Sequence, residues 1–97
     1  MPAPTLPITL TQRLLRSEDV LSQNLDGEAV LLDLASETYF GLNEVGTRVW
    51  ELLESSRSLG EIATLLQSEY EVESARAESD VLDLATRLIK AGLASVA

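Results

Sequence analysis

The apolar residues of this chain change their spacing once, at Asn43, and that change limits the fold more than any other feature. Before Asn43 they alternate in short runs broken by turn residues, as in half-buried strands. After it they recur every three or four residues, as in amphipathic helices. Strands that all precede the helices predict an α+β domain, with helices packed on one face of a small antiparallel sheet.

Three short strands are expected within residues 18–42. The first runs from Val20 to Leu25 and is followed by Asp26-Gly27, a dipeptide suited to the positive φ angles of a tight hairpin turn. The second spans 28–34, with Val30, Leu32 and Leu34 on one face and Leu31 on the other. Ala35-Ser36 reads as a short turn, and 37–42 as a third strand carrying Thr38, Tyr39 and Phe40. Asn43 then caps a helix over 44–54, with Leu42, Val45, Val49, Leu52 and Leu53 as its apolar stripe and Trp50 beside it. Ser58 and Glu61 form a capping box for a second helix over 59–69, in which Leu59, Ile62, Ala63, Leu66 and Tyr70 recur at helical spacing. A third helix covers 75–91, closed by Gly92 with Leu93 folding back on its last turn. Residues 1–17, with Pro2, Pro4 and Pro7, read as an arm that is either flexible or adds an edge strand through residues 8–10. Residues 18–97 make up the domain.

Charge and composition exclude several function classes. Sixteen acidic and seven basic residues give a net charge of −9. Nucleic acid and anionic membrane both call for clustered Lys and Arg, so neither is an expected partner. Cysteine and histidine are absent. That removes disulfides, thiolate zinc sites, thiol nucleophiles and imidazole bases. Glu69, Glu71 and Glu73 lie in a loop without the glycine-bearing pattern of a calcium site. Asp80 and Asp83 sit three apart on a helix with no base, nucleophile or phosphate loop to work with. A non-enzymatic chain without metal or cofactor is expected. The N-terminus lacks the basic start and apolar run of a signal peptide, and no apolar run approaches the roughly 18 residues that span a bilayer, so a cytoplasmic location is expected.

Two features point toward binding. Tyr39 and Phe40 are adjacent on a strand and so face opposite sides of the sheet, one toward the core and one toward the far face or a groove. On the third helix Ala77, Val81, Leu82, Leu84, Ala85, Leu88, Ile89 and Ala91 cover an arc of roughly 180°, wider than the stripe of somewhat over ~100° that packing on one core face needs. Either one margin of that helix faces a ligand, or the helix is wedged between two neighbours.

The span from Val20 to Leu93 resembles the coenzyme PQQ synthesis protein D family, also called RiPP recognition elements. The resemblance is carried by Val30-Leu31-Leu32-Asp33-Leu34, Thr38-Tyr39-Phe40-Gly41-Leu42-Asn43, Gly46, Val49-Trp50-Glu51-Leu52-Leu53, Ser58-Leu59-Gly60-Glu61-Ile62, Asp80-Val81 with Leu84 and Leu88, and Ala91-Gly92-Leu93. The stretch from Tyr39 to Trp50 is more similar to stand-alone members of lasso-peptide pathways. PQQ-pathway members carry a Pro-Glu-Gly turn where this chain has Ala35-Ser36-Glu37.

The resemblance implies a winged helix-turn-helix arrangement of three strands and three helices. It implies a domain that performs no chemistry but holds the leader segment of a ribosomally made precursor peptide for a peptidase, cyclase or radical SAM enzyme acting in trans. The leader would add a strand beside the third strand, with Glu37, Thr38, Tyr39, Phe40 and Gly41 as the backbone ladder. Val81, Leu84 and Leu88 would line the helix wall. Arg87 would pair with an acidic leader residue, and Asp80 would take a hydroxyl or amide. Two alternatives are a peptide chaperone of PQQ synthesis acting with a radical SAM enzyme and a winged-helix DNA-binding regulator. The acidic charge argues against the second, since neither the second nor the third helix is basic.

Overall fold

A computed structural model describes residues 8–97. The elements in chain order are β1 (Leu14–Arg16), β2 (Val20–Leu25), β3 (Glu28–Asp33), β4 (Thr38–Gly41), α1 (Glu44–Leu53), α2 (Leu59–Tyr70), α3 (Ser74–Lys90) and β5 (Ala94–Val96). The expected order of three strands and three helices is present, with β2, β3 and β4 as an antiparallel meander.

Local chemistry fixes the connections. Asp26 and Gly27 both take positive φ, 55° and 88°, so a two-residue turn joins β2 to β3 with the twist that strands favour. The β3–β4 connection is longer than the sequence suggests. Asp33 accepts from the Ala35 N–H at 3.0 Å and the Ser36 hydroxyl at 2.9 Å, and Glu37 donates its N–H to the Asp33 carbonyl. Glu37 takes a left-handed φ of 57° and so closes the turn, while the strand starts at Thr38. Asn43 caps α1 through the Gly46 N–H, and Ser58 and Glu61 form the expected capping box on α2. Past α3, Gly92 adopts φ 76°, and the N–H groups of Gly92 and Leu93 return to the carbonyls of Ile89 and Leu88. This left-handed cap buries Leu93, as expected.

The buried face of β3 is the opposite of the one the larger side chains suggest. Ala29, Leu31 and Asp33 face the helices, Val30 and Leu32 are only half-buried, and Leu34 is exposed. Helices α1, α2 and α3 supply most of the core, with Leu59, Ile62, Val81 and Leu88 fully enclosed.

The chain ends contribute two strands that the sequence does not announce. β1 pairs antiparallel with β5 in a separate two-stranded sheet, and Leu14 enters the core. Residues 8–10 form no strand. Instead the Leu10 and Gln12 carbonyls accept from the Gly60 and Leu59 N–H groups at the start of α2, 2.8 and 2.9 Å away. The prolines of the expected arm lie outside the described residues. Arg16 stacks on the Trp50 ring at 4.8 Å and ion-pairs with Glu54, which ties β1 to α1.

Candidate functional site: a free strand edge beside a helix-walled groove

The three-stranded sheet has two edges, β2 and β4. In an antiparallel ladder successive residues turn their N–H and C=O groups alternately toward one neighbour and then the other. The Leu42 N–H bonds the Ala29 carbonyl, so Leu42 and Phe40 point their backbone groups toward β3. Tyr39 and Gly41 therefore present theirs to the free edge. The same alternation, set by the two-residue turn at Asp26-Gly27, leaves Val20, Ser22 and Asn24 facing outward on β2.

Among the described residues, it is the β4 edge that has a wall beside it. Between the end of β4, the start of α1 and the flank of α3 lies a groove of about 850 Å³. Gly41, Leu42 and Asn43 form its strand end. Val45, Gly46 and Val49 line the α1 side, with Leu66 and Val72 also reached. The α3 side is formed by Arg76, Asp80, Val81, Asp83, Leu84 and Arg87, and Glu73 sits at its head. The groove has an apolar floor and mixed charge at the mouth. β2, by contrast, is exposed along five of its six residues.

The residues singled out from the sequence separate on this frame. Thr38 and Tyr39 are exposed, and Phe40 is half-buried with the Arg87 guanidinium 5.3 Å above its ring. That contact joins β4 to α3 at the groove's end. Glu37 belongs to the turn, not the ladder, because Asp33 draws the chain round at that point. Leu84 is 8% exposed and Val81 0%, and both line the groove. Leu88, at 0%, is wholly core and does not line the groove, since α3 turns it under the sheet and helices. Asp80 pairs loosely with Arg76 at 3.7 Å, both exposed.

The α1 wall was not singled out from the sequence. Val45 and Val49 belong to an apolar stripe that reads equally well as core. Glu69, expected in a loop, lies in the last turn of α2 and is committed elsewhere. Arg48 donates to both of its oxygens, at 2.8 and 3.0 Å, and holds its carboxyl below the usual range. Among the described residues no group of three or more His, Cys, Asp or Glu could hold a metal ion, and no helix is long and apolar enough to cross a membrane.

The fold is shared with known proteins. The solved structure of TbiB1 in complex with the TbiA(beta) leader peptide is similar to this chain at 39% identity, with a TM-score of 0.77 over 82% of this chain and 93% of that one. The lasso peptide synthetase B1 complexed with the leader peptide is 32% identical, with a TM-score of 0.78 over 86% and 98%. No curated protein matches the chain. The family model described as coenzyme PQQ synthesis protein D (PqqD) matches residues 28–94, which takes in β3, β4 and all three helices, and the chain belongs to that family.

Proposed function

We infer that this chain binds the leader segment of a ribosomally made precursor peptide as a strand added to β4, and delivers it to a modifying or leader-cleaving enzyme of lasso-peptide type. The observation that carries this is the pair of outward-facing backbone units at Tyr39 and Gly41 beside the groove walled by α3. An incoming strand satisfies those N–H and C=O groups, and its alternate side chains enter the groove. The likeness to two B1 proteins solved with leader peptides supports the same occupant.

No chemical step falls to the chain, whose sequence lacks both His and Cys. Its contribution is effective concentration, since a tethered leader keeps the core peptide near the enzyme's active site. The peptidase, cyclase or other modifying enzyme acts in trans, in the cytoplasm where the ribosomal precursor is made.

Hydrogen exchange on titration with the precursor leader tests the assignment. The Tyr39 and Gly41 amides exchange readily in the free chain and become protected when the leader is bound. Protection at Ser22 and Asn24 instead would move the site to β2, and no binding at all would remove the function.

A further inference from the structure

The charged side chains of α3 that reach the groove are not scattered round the helix. At about 100° per residue, Arg76, Asp80, Asp83 and Arg87 fall within about 60° of one another and so form one row along its rim. The row is divided. Arg76 and Asp80 answer each other at 3.7 Å. Asp83 and Arg87 stand four residues apart, the spacing at which a helix commonly joins an acid to a base. Yet among the described residues neither takes part in an ion pair. Arg87 instead leans over the Phe40 ring, 5.3 Å from its centre. Both residues are exposed.

The row also has a direction. Arg48 holds Glu69, at the end of α2, against α1, so the start of α3 lies on the α1 side of the groove, beyond the end of β4. Arg87 lies back beside Phe40. α3 therefore runs opposite in sense to β4, and a strand added antiparallel to β4 would run the same way as α3. Antiparallel addition continues the meander and forms the more stable ladder. Such a strand turns alternate side chains to the helix side, about 7 Å apart. Those opposite Leu42 and Phe40 are two of them, because Phe40 pairs with buried Leu31 and Leu42 is itself buried. Asp83 and Arg87 are about 6 Å apart along the helix axis. The leader residue opposite Leu42 would thus meet Asp83, and the one opposite Phe40 would meet Arg87.

We propose that Asp83 and Arg87 read the order of charges in the leader: a Lys or Arg at Asp83, then an Asp or Glu two residues nearer the core peptide at Arg87. The proposal rests on leader binding at β4 and adds what that leader must carry. Exchanging the two charges sets an anion beside Asp83 and a cation beside Arg87, and both contacts turn repulsive. The rest of the rim favours the same order, since its α1 end carries Glu73 and Asp80 against Arg76 alone. These are contacts at a wet rim, so they choose among leaders and fix their register more than they add affinity.

Synthetic leaders are the probes. The precursor leader is made with its own charged residues replaced by Gln, and a Lys-x-Glu pair is moved along it one residue at a time. A second series carries Glu-x-Lys. Binding is followed by fluorescence anisotropy at low salt, and folding by thermal melts. At one position, Lys-x-Glu is expected to bind the wild type roughly tenfold more tightly than Glu-x-Lys, with the difference shrinking at high salt. In the variant Asp83→Arg with Arg87→Asp, which keeps an acid and a base four residues apart, the preference is expected to invert. A merely structural role for the two residues would move affinity for both series together. A wild type that binds both series alike, or prefers Glu-x-Lys, would overturn the charge reading and leave leader binding in place. So would a folded double variant that keeps the wild-type order. A folded wild type that binds neither the native leader nor either series would remove leader binding itself.

Discussion

Proline at position 39 separates the free edge of β4 from its paired edge within a single strand. The Tyr39 N–H faces away from β3, so Tyr39→Pro removes no bond of the meander. Proline is tolerated on edge strands for this reason. Tyr39 and Gly41 together offer two N–H and two C=O groups to a leader. At about 0.5–1.5 kcal/mol net per bond they contribute roughly 2–6 kcal/mol, short of the ~8 kcal/mol of a micromolar complex, so the groove must supply the rest. Removing the Tyr39 donor also leaves a leader carbonyl without its partner. The expected loss is about 1–3 kcal/mol, or roughly 5- to 150-fold in Kd. Ser22→Pro is the matched control, because the Ser22 N–H faces outward from β2 in the same way. Isothermal titration of the leader against wild type and both variants, with urea melts alongside, measures the effect. The reasoning is refuted if Tyr39→Pro keeps both its melt and its leader affinity, or if Ser22→Pro weakens binding as much.

Three further outcomes concern stability. Asp33→Ala should cost about 1–3 kcal/mol in urea unfolding, because the Ala35 N–H and Ser36 hydroxyl lose their acceptor and the β3–β4 turn loosens. A chain starting at Ser17 should lose about 3 kcal/mol or more, from the burial of Leu14 and from the two carbonyls that receive the α2 N–H groups. Acid should destabilise the fold as pH falls below about 4.5. The Arg48 guanidinium holds Glu69, and the Ser58 N–H holds Glu61, below their ordinary value of 4.5, so their contribution is complete above it and is lost as pH falls through the lower folded values. Glu69→Gln should flatten the acid limb of a circular-dichroism titration, and an unchanged limb would count against the Arg48 pairing.

Helix positions were legible where a cap marks an end: α1 and α2 have capped starts and α3 a glycine stop, whereas α3 begins at Glu73 with no side-chain cap bond. Asn43, the Ser58–Glu61 box and Gly92 act within a few residues of themselves, and tertiary packing did not move them. The strand faces were less legible. Residues 30–34 place Val or Leu at both parities, so period-two alternation cannot choose a side. The choice fell to Asp33, whose carboxylate must turn inward to hold the β3–β4 turn, and Leu31 and Ala29 follow it by alternation. That inversion puts Val30, Leu32 and Leu34 on the far side and creates the apolar outer face. β1 and β5 left no signal at all. Strands of three residues are too short to show a period, and each is specified by its partner across almost the whole chain.

The groove was half legible, because a periodic pattern describes one element and a groove is a gap between two. The broad apolar arc of α3 combines Val81, Ala85 and Leu88, which are enclosed, with Leu84 at its margin. Nothing in that pattern identifies the facing wall. Val45 and Val49 on α1 supply it, since α1 begins immediately after β4 and its first turns overhang the strand's end. A test follows at Val45, which is half-buried and outside the enclosed core. Val45→Ser shortens this wall and adds a hydroxyl while leaving the fold's main contacts alone. At ~25 cal/mol per Å² of apolar surface, losing a few tens of Å² of leader contact costs about 1 kcal/mol, or roughly fivefold in leader Kd. Urea unfolding should shift by less than the loss expected for Asp33→Ala. Full leader affinity in Val45→Ser, with Leu84→Ala still weakening it, would show that the leader lies along α3 alone and that α1 does not form the second wall.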